Sequence, residues 1–393
     1  MLVQPKSTTM FEIRIAVIGH VSVGKTTLIN ALFGAEYGEV AMKRTTAVVN
    51  AFRITPASLM TKSSAEKDDE SVELVSSGLS AESTLEETKA DNSQFRNGDD
   101  SNVHERSFDI ALDDPIHKMR GDTKLVIVDI PGINEAGTSS KYKDFVNENW
   151  HTFDVAILVM DARQGVNTQE QHDLLQLAKD NIENSKLIPL IVLNNKVDDP
   201  EDEEQAALLR EACEAIESLF QVSCRKESLG TILHSKKKKK IRQPYPVVIP
   251  MSAMHAFVYR CGSRLSFADF RKMSSDFIDK IGKDSYGRQW RRYDDETKLK
   301  KAYQAVSDEE QRQDGLDVSN FGTLLKVLAF CIGDEERQLL LIERQVVVTK
   351  ELMEKGGTGI DLGAAILSLI IHTLLLASLQ QNFPRFSGRL TSN

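Results

Sequence analysis

Short apolar runs alternate with stretches of helical character along residues 11–332, and the alternation is regular enough to predict elements. Residues 13–18 are mostly apolar and suit a buried strand; a turn follows, and then a helix-like run at 27–33. Further β-branched or apolar runs stand at 47–54, 125–128, 155–160, 187–193 and 246–250, each about the length of a strand buried on both faces. Residues 168–178 and 203–220 read as helices, the second beginning just after Asp199-Pro200. Strands and helices in alternation predict an α/β fold, a mostly parallel sheet with helices on both faces. In such a sheet ligands gather at the carboxyl ends of the strands.

The pattern changes towards the end of the chain. Residues 260–315 are charged and helical around 267–281 and 294–305, and they exceed what a minimal domain of this kind needs. Residues 320–331 then read as a closing helix, and 335–355 as one more helix, broken at Gly356-Gly357. From 362 to 379 the chain is apolar apart from Ser368, His372, Thr373 and Ser378, with no fixed charge up to Phe383. Eighteen such residues just reach bilayer-spanning length, so association with a membrane is the preferred expectation over a helix packed on the protein. The expected division is a tail at 1–10, a sheet domain at 11–332, a helical hairpin or membrane-associating segment at 333–383, and a tail at 384–393.

Charge modifies this picture locally. The chain of 393 residues carries a net charge of −9, which speaks against a general nucleic-acid binder. Residues 56–106 hold twelve acidic and five basic residues and supply most of that charge; rich in Ser and Glu and without apolar period, they are expected to be a disordered insertion. A second insertion is expected at 260–315. The lysine run Lys236 to Lys240 reads as a solvated loop. Cys213, Cys224, Cys261 and Cys331 have neither paired spacing nor a histidine at ligand spacing, which fits thiols in a reducing compartment. Residues 1–12 lack the basic start and apolar centre of a signal peptide, so a cytoplasmic location is expected, with the C-terminal apolar segment as its contact to a membrane.

Chemistry concentrates at the predicted strand ends. Gly19-His20-Val21-Ser22-Val23-Gly24-Lys25-Thr26, followed by Thr27, lies between the first strand and the first helix. Glycines there let backbone N–H groups turn inward around phosphate oxygens, and the helix start adds its positive dipole end. Lys25 would reach the β- and γ-phosphates and the Thr26 hydroxyl would hold Mg²⁺. The 125–128 strand delivers Asp129-Ile130-Pro131-Gly132: Asp129 would bind Mg²⁺ through water, and the Gly132 N–H would contact a γ-phosphate. The 187–193 strand ends in Asn195-Lys196-Val197-Asp198, where the Asp198 carboxylate could accept both guanine N1–H and the 2-amino group. Lys196 would lay its stem on the base and Asn195 would tie this loop to the phosphate loop. After the 246–250 strand, Ser252-Ala253 offers a backbone N–H to guanine O6. Four elements in this order predict GTP and GDP as ligands.

These motifs resemble the P-loop NTPase G domains of the translation-factor and Ras-like superclass, over residues 11–332. The run from Ser22 through Gly34, with Thr45-Thr46-Ala47-Val48-Val49 after it, is most similar to dynamin-type GTPases, especially bacterial-like ones, and to Era-like GTPases. Ile133 stands where Ras-like proteins carry a water-orienting Gln, and an Ile side chain cannot polarise water. In such relatives hydrolysis depends on a partner, on a homodimer across the nucleotide face, or on a monovalent cation; Ser22 occupies the position that helps hold K⁺ or Na⁺ there, although a small filler residue is an equal reading. Switch I must supply a Thr that closes over Mg²⁺, and Thr46 is the choice, with Thr45 close behind. The implied activity is slow hydrolysis of GTP by a nucleotide-dependent, dynamin-like switch, with Lys25, Ser22, Thr46 and Gly132 as catalytic groups and Thr26, Thr46 and Asp129 around the metal. A non-hydrolysing GTP-gated scaffold or tether and an Era-like ribosome-assembly GTPase are the alternatives.

Overall fold

The computed structural model describes residues 11–38, 48–56, 81–97, 103, 105–112, 114, 116–133, 139–164, 168–185, 187–197, 202–221 and 246–354. In chain order the elements are β1 (Phe11–Gly19), α1 (Lys25–Phe33), β2 (Val49–Pro56), α2 (Ala81–Asn97), β3 (Glu105–Leu112), β4 (Thr123–Asp129), α3 (Ser139–Asn149), β5 (Val155–Asp161), α4 (Gln169–Asn184), β6 (Leu190–Asn195), α5 (Glu203–Phe220) and β7 (Val247–Met251). A helical run follows: α6 (Ala253–Gly262), α7 (Phe267–Phe270), α8 (Ser275–Tyr286), α9 (Asp295–Ser307), α10 (Glu309–Val318), α11 (Phe321–Ile332) and α12 (Glu335–Glu354).

The seven strands form one sheet in the order β3-β2-β4-β1-β5-β6-β7. Five run parallel, while β2 is antiparallel to β4 and β3 is parallel to β2. Alternation along β1 assigns its side chains to two faces. Ile13, Ile15 and Val17 meet Leu28, Ile29 and Leu32 of α1, Phe257 of α6, and through them α9 and α11. Ala16 and Ile18 join Tyr142 and Val146 of α3, Leu174 and Leu175 of α4, and Ile216 of α5. Helices therefore cover both faces, as the alternation of runs predicts, and β4, β5 and β6 have almost no exposed residue because each is buried twice.

Part of the acidic insertion, read as disordered, is ordered, while its residues 57–80, 98–102 and 104 lie outside the described residues. Its residues 81–97 form α2, and residues 105–112 add β3 as a sheet edge that the apolar pattern did not signal. A parallel β2–β3 pair requires a crossover connection, and α2 lies in that crossover. The helix is polar overall, yet Thr84, Thr88 and Asn92 are buried. Asn92 Oδ1 accepts from the Val48 N–H at 3.2 Å, and Thr88 Oγ1 donates to the Tyr37 carbonyl at 3.2 Å. Hydrogen bonding to the sheet domain, instead of an apolar stripe, is what holds α2, and composition does not display it. In the second expected insertion, the run read as helical at 267–281 is interrupted: α8 restarts at Ser274, whose side chain caps it by accepting from the Asp276 N–H.

Helix α12 crosses the end of the sheet opposite the motif loops. Gln338 is fully buried, accepting from the Arg120 N–H at 3.0 Å and donating to the Lys118 carbonyl at 3.1 Å. Seven positions on, Gln345 donates to the Glu12 carbonyl and to Asp154. Among the described residues no single helix is long and apolar enough to cross a membrane; the one bent pair that passes by composition, α10 with α11, includes core residues such as Leu324 and Leu328. The apolar run at 362–379 and the lysines at 236–240 lie outside the described residues.

Candidate nucleotide site

The strands β1, β4, β5 and β6 end on Gly19, Asp129, Asp161 and Asn195, and β7 ends one residue before Ser252, all on one side of the sheet. The loop after β1 is tight. Ser22 and Gly24 have φ of 61° and 98°, and a Cβ at Gly19 would stand 2.4 Å from the Val159 carbonyl oxygen. Helix α1 begins at Gly24 without a side-chain cap, the arrangement by which a helix start receives an anion. Lys25 is almost buried, and its ammonium donates to the carbonyls of Gly19 at 3.2 Å and His20 at 2.8 Å, which folds the charge across the loop; Thr27 is buried beside it. His20 bonds the Glu170 carbonyl at 2.8 Å through Nε2. Its pKa is lowered, chiefly by burial, with the Glu170 interactions opposing and the Lys25 and Lys143 charges adding to the shift, so the ring is neutral at pH 7.

Asp129 is buried at the end of β4, and its Oδ2 accepts from Thr26 Oγ1 at 3.1 Å. Two hard oxygens at hydrogen-bond distance beside a phosphate loop suit Mg²⁺, which favours oxygen ligands and keeps several waters. Three residues on, Gly132 passes so close to the loop that a Cβ would lie 2.6 Å from Val21 N, which requires glycine there. Ile133 donates its N–H to the Gly19 carbonyl at 3.3 Å while its side chain is fully buried, in the same core cluster as Ile130, Tyr142 and Val146. The residue at the water-orienting position is thus a core residue, in agreement with its apolar identity.

Asn195 connects the loops. Its amide nitrogen donates to the Val23 carbonyl at 2.7 Å, and its oxygen accepts from the Ala253 N–H at 2.8 Å. Lys196 has φ of 70° and places its ammonium 2.6 Å from Asp161 Oδ2. Burial opposes ionisation of Asp161, but hydrogen bonds from Lys196 and Arg163 outweigh it and hold the carboxyl below its ordinary pKa. Val197 N donates to the Met251 carbonyl, drawing this loop to the end of β7. Ser252 is buried and caps α6, accepting from the His255 N–H at 3.4 Å. Thr45, Thr46 and Asp198 lie outside the described residues. Sequence reasoning did not give a site role to Asp161, whose only signal is its position at a buried strand end, or to His255, which had none.

Residues 15–197 match the Dynamin family. This segment is similar to the GTPase domains of that family. The match starts within β1 and reaches Val197, so it includes the phosphate loop, Asp129, Gly132 and Asn195 but ends before Ser252. No curated protein matches the chain. Among solved structures, the chain is similar to a protein of an oligomerised bacterial dynamin pair, at 14% identity over 96% of this chain and 46% of that one, with a TM-score of 0.37. Aquifex aeolicus Era bound to GDP and AlF₄⁻ aligns at 14% identity over 62% of this chain and 52% of its own, TM-score 0.30. Toc33 from Arabidopsis thaliana aligns at 11% identity over 62% and 72%, TM-score 0.34. The chain thus spans about half the length of the Era and bacterial dynamin structures it matches.

Proposed function

We propose that this protein binds GTP and GDP and hydrolyses GTP to GDP and phosphate as a dynamin-like, nucleotide-dependent switch. The observation that carries the proposal is the convergence, at one sheet end, of Lys25 on the phosphate loop, the Thr26–Asp129 pair, and Asn195 linking that loop to Ala253. Loop amides and the Lys25 ammonium hold the β- and γ-phosphates and stabilise charge as the γ-phosphoryl is transferred to water. Thr26 and Asp129, with Thr46 in the triphosphate state, would hold Mg²⁺, which when bound would supply charge neutralisation of the phosphate oxygens. Asp198 reads the guanine base, and Lys196, anchored by Asp161, flanks it.

No group at position 133 orients the attacking water, because Ile133 is packed in the core. Turnover is therefore slow in a dilute monomer and rises with a partner, with dimerisation across the nucleotide face, or with K⁺ or Na⁺ beside Ser22, whose positive φ is a conformation that glycine adopts at less cost. The protein acts in the cytoplasm, with residues 362–379 as its contact to a membrane. Phosphate release measured with and without K⁺ and liposomes tests the enzymatic reading: rapid turnover by dilute monomer, or GTP left intact under every condition, overturns it, and the second outcome favours a scaffold. Asp198→Asn should move preference from GTP to XTP, and an unaltered GTP affinity overturns the base assignment.

A further inference from the structure

Ser252, which precedes the N–H assigned to guanine O6, is the first of three hydrogen-bonded side chains that run out of the nucleotide site. Its Oγ lies 2.8 Å from His255 Nδ1, and His255 Nε2 lies 2.8 Å from Asp284 Oδ2. Ser252 and His255 are both buried, and Asp284 is half-buried on α8, inside the helical run beyond the segment that matches the Dynamin family. Helix α8 packs against α6, and Phe277 of α8 stacks edge-on against Phe257 of α6 at 5.4 Å between centroids. Tyr259, one turn beyond His255, has its pKa pushed up to about 12, first by burial and then by the Asp284 and Asp314 carboxylates, against a hydrogen bond with Ser285.

The chemistry of these groups sets the direction of each bond. An ionised Asp284 can only accept, so Nε2 of His255 carries a hydrogen. In the neutral ring Nδ1 is then the acceptor, and it takes the Ser252 hydroxyl proton. That leaves a lone pair of Ser252 Oγ directed at the His255 N–H, which is the cap that starts α6. The opposite tautomer would make Ser252 Oγ the acceptor of both the His255 backbone N–H and Nδ1–H, and would turn the hydroxyl hydrogen away from His255. Since Ala253 is the first residue of α6, and its N–H already bonds Asn195 Oδ1, the position of the cap is the position of the base loop.

We propose that Asp284, acting through His255, is a positioning residue that sets the base-binding loop at Ser252–Ala253, so that α8 controls guanine-nucleotide affinity. The proposal rests on the nucleotide reading given above. Its occupant is guanine nucleotide, and its lever is the carboxylate on α8.

The test uses the full chain, with GDP and ADP as titrants and the ¹⁵N shifts of the His255 ring as a second readout. Wild type should hold the Nε2–H tautomer and prefer GDP. Asp284→Asn, nearly isosteric and on a half-exposed position, should release the tautomer and weaken GDP about tenfold, the order expected for losing a hydrogen bond to a charged partner. Asp284→Glu should recover most of the affinity, because the longer carboxylate still reaches Nε2. A D284N protein that retains wild-type GDP affinity, or that loses affinity with the His255 tautomer unchanged, overturns the positioning role. If wild type itself binds ADP as well as GDP, the guanine assignment fails instead, and the tautomer readout still decides whether Asp284 orients His255.

Discussion

The side-chain amide of Asn195 donates to the carbonyl of Val23 at 2.7 Å, joining the end of β6 to a loop 172 positions earlier in the chain. The same side chain accepts from Ala253 N, so a single buried amide spans the phosphate loop, the β6 loop and the start of α6. Its nitrogen also stands where a Cβ at Gly24 would be, at 2.3 Å, which keeps glycine at the helix start.

Asn195→Ala leaves a buried carbonyl and a buried N–H without these partners, at a cost of about 1–3 kcal/mol each. GDP affinity is expected to fall by roughly a hundredfold, which is about 2.7 kcal/mol, with the far-ultraviolet circular dichroism of wild type retained. Displacement of a fluorescent GDP analogue measures it, and a change under threefold would remove Asn195 from the role of loop connector.

Ile133→Gln should not create Ras-like hydrolysis. The side chain is fully buried in the core cluster that also holds Ile130, Tyr142 and Val146, and a buried Gln amide there costs roughly 2–4 kcal/mol without gaining access to the nucleotide. A lowered melting temperature with no rise in single-turnover phosphate release is the expected pair of results.

The Asp161 carboxyl gives the stability curve an acid limb. Its folded pKa lies below the unfolded value of about 3.9, so its stabilising charge is fully present above that value and is lost as pH falls through the folded pKa. Asp161→Asn should lower the melting temperature at pH 7 and flatten its fall below roughly pH 4. Melting curves from about pH 2.5, roughly 1.5 units below the ordinary carboxylate, up to about pH 7, where it is fully ionised, compare the slopes.

Asn92→Ala tests whether α2 is a structural part of the domain. It deprives the buried Val48 N–H of the Asn92 acceptor and should destabilise the protein by about 1–3 kcal/mol in urea unfolding. A neutral result would make α2 a tolerated insertion resting on the domain without supporting it.

Strand ends and loops were legible because their signals are local. The run before Gly19 and the apolar strands before Asp129, Asn195 and Ser252 announce buried parallel strands through uninterrupted apolar residues, and motifs attach to them directly. The edge strand β3 was missed because Phe108, Ile110 and Leu112 alternate with less buried positions instead of forming an uninterrupted apolar run, and its first two residues belong to the stretch that composition reads as disordered. Helix α2 escaped for a different reason, since buried Thr and Asn side chains replace the apolar stripe on which periodicity depends.

By itself the sequence determined the α/β class and the order of the candidate nucleotide motifs at the strand ends, because backbone turns at glycine, strand burial and the side-chain identities of Lys25, Thr26, Asp129 and Asn195 are all properties of short segments. Only the tertiary structure decided that Ile133 faces the core, that Asn195 bridges Val23 to Ala253, and that Asp284 meets His255 across two helices. Those are relationships between residues tens to hundreds of positions apart, and hydrogen-bond direction and packing partner are set by the folded sheet and its helices, not by any local window of the chain.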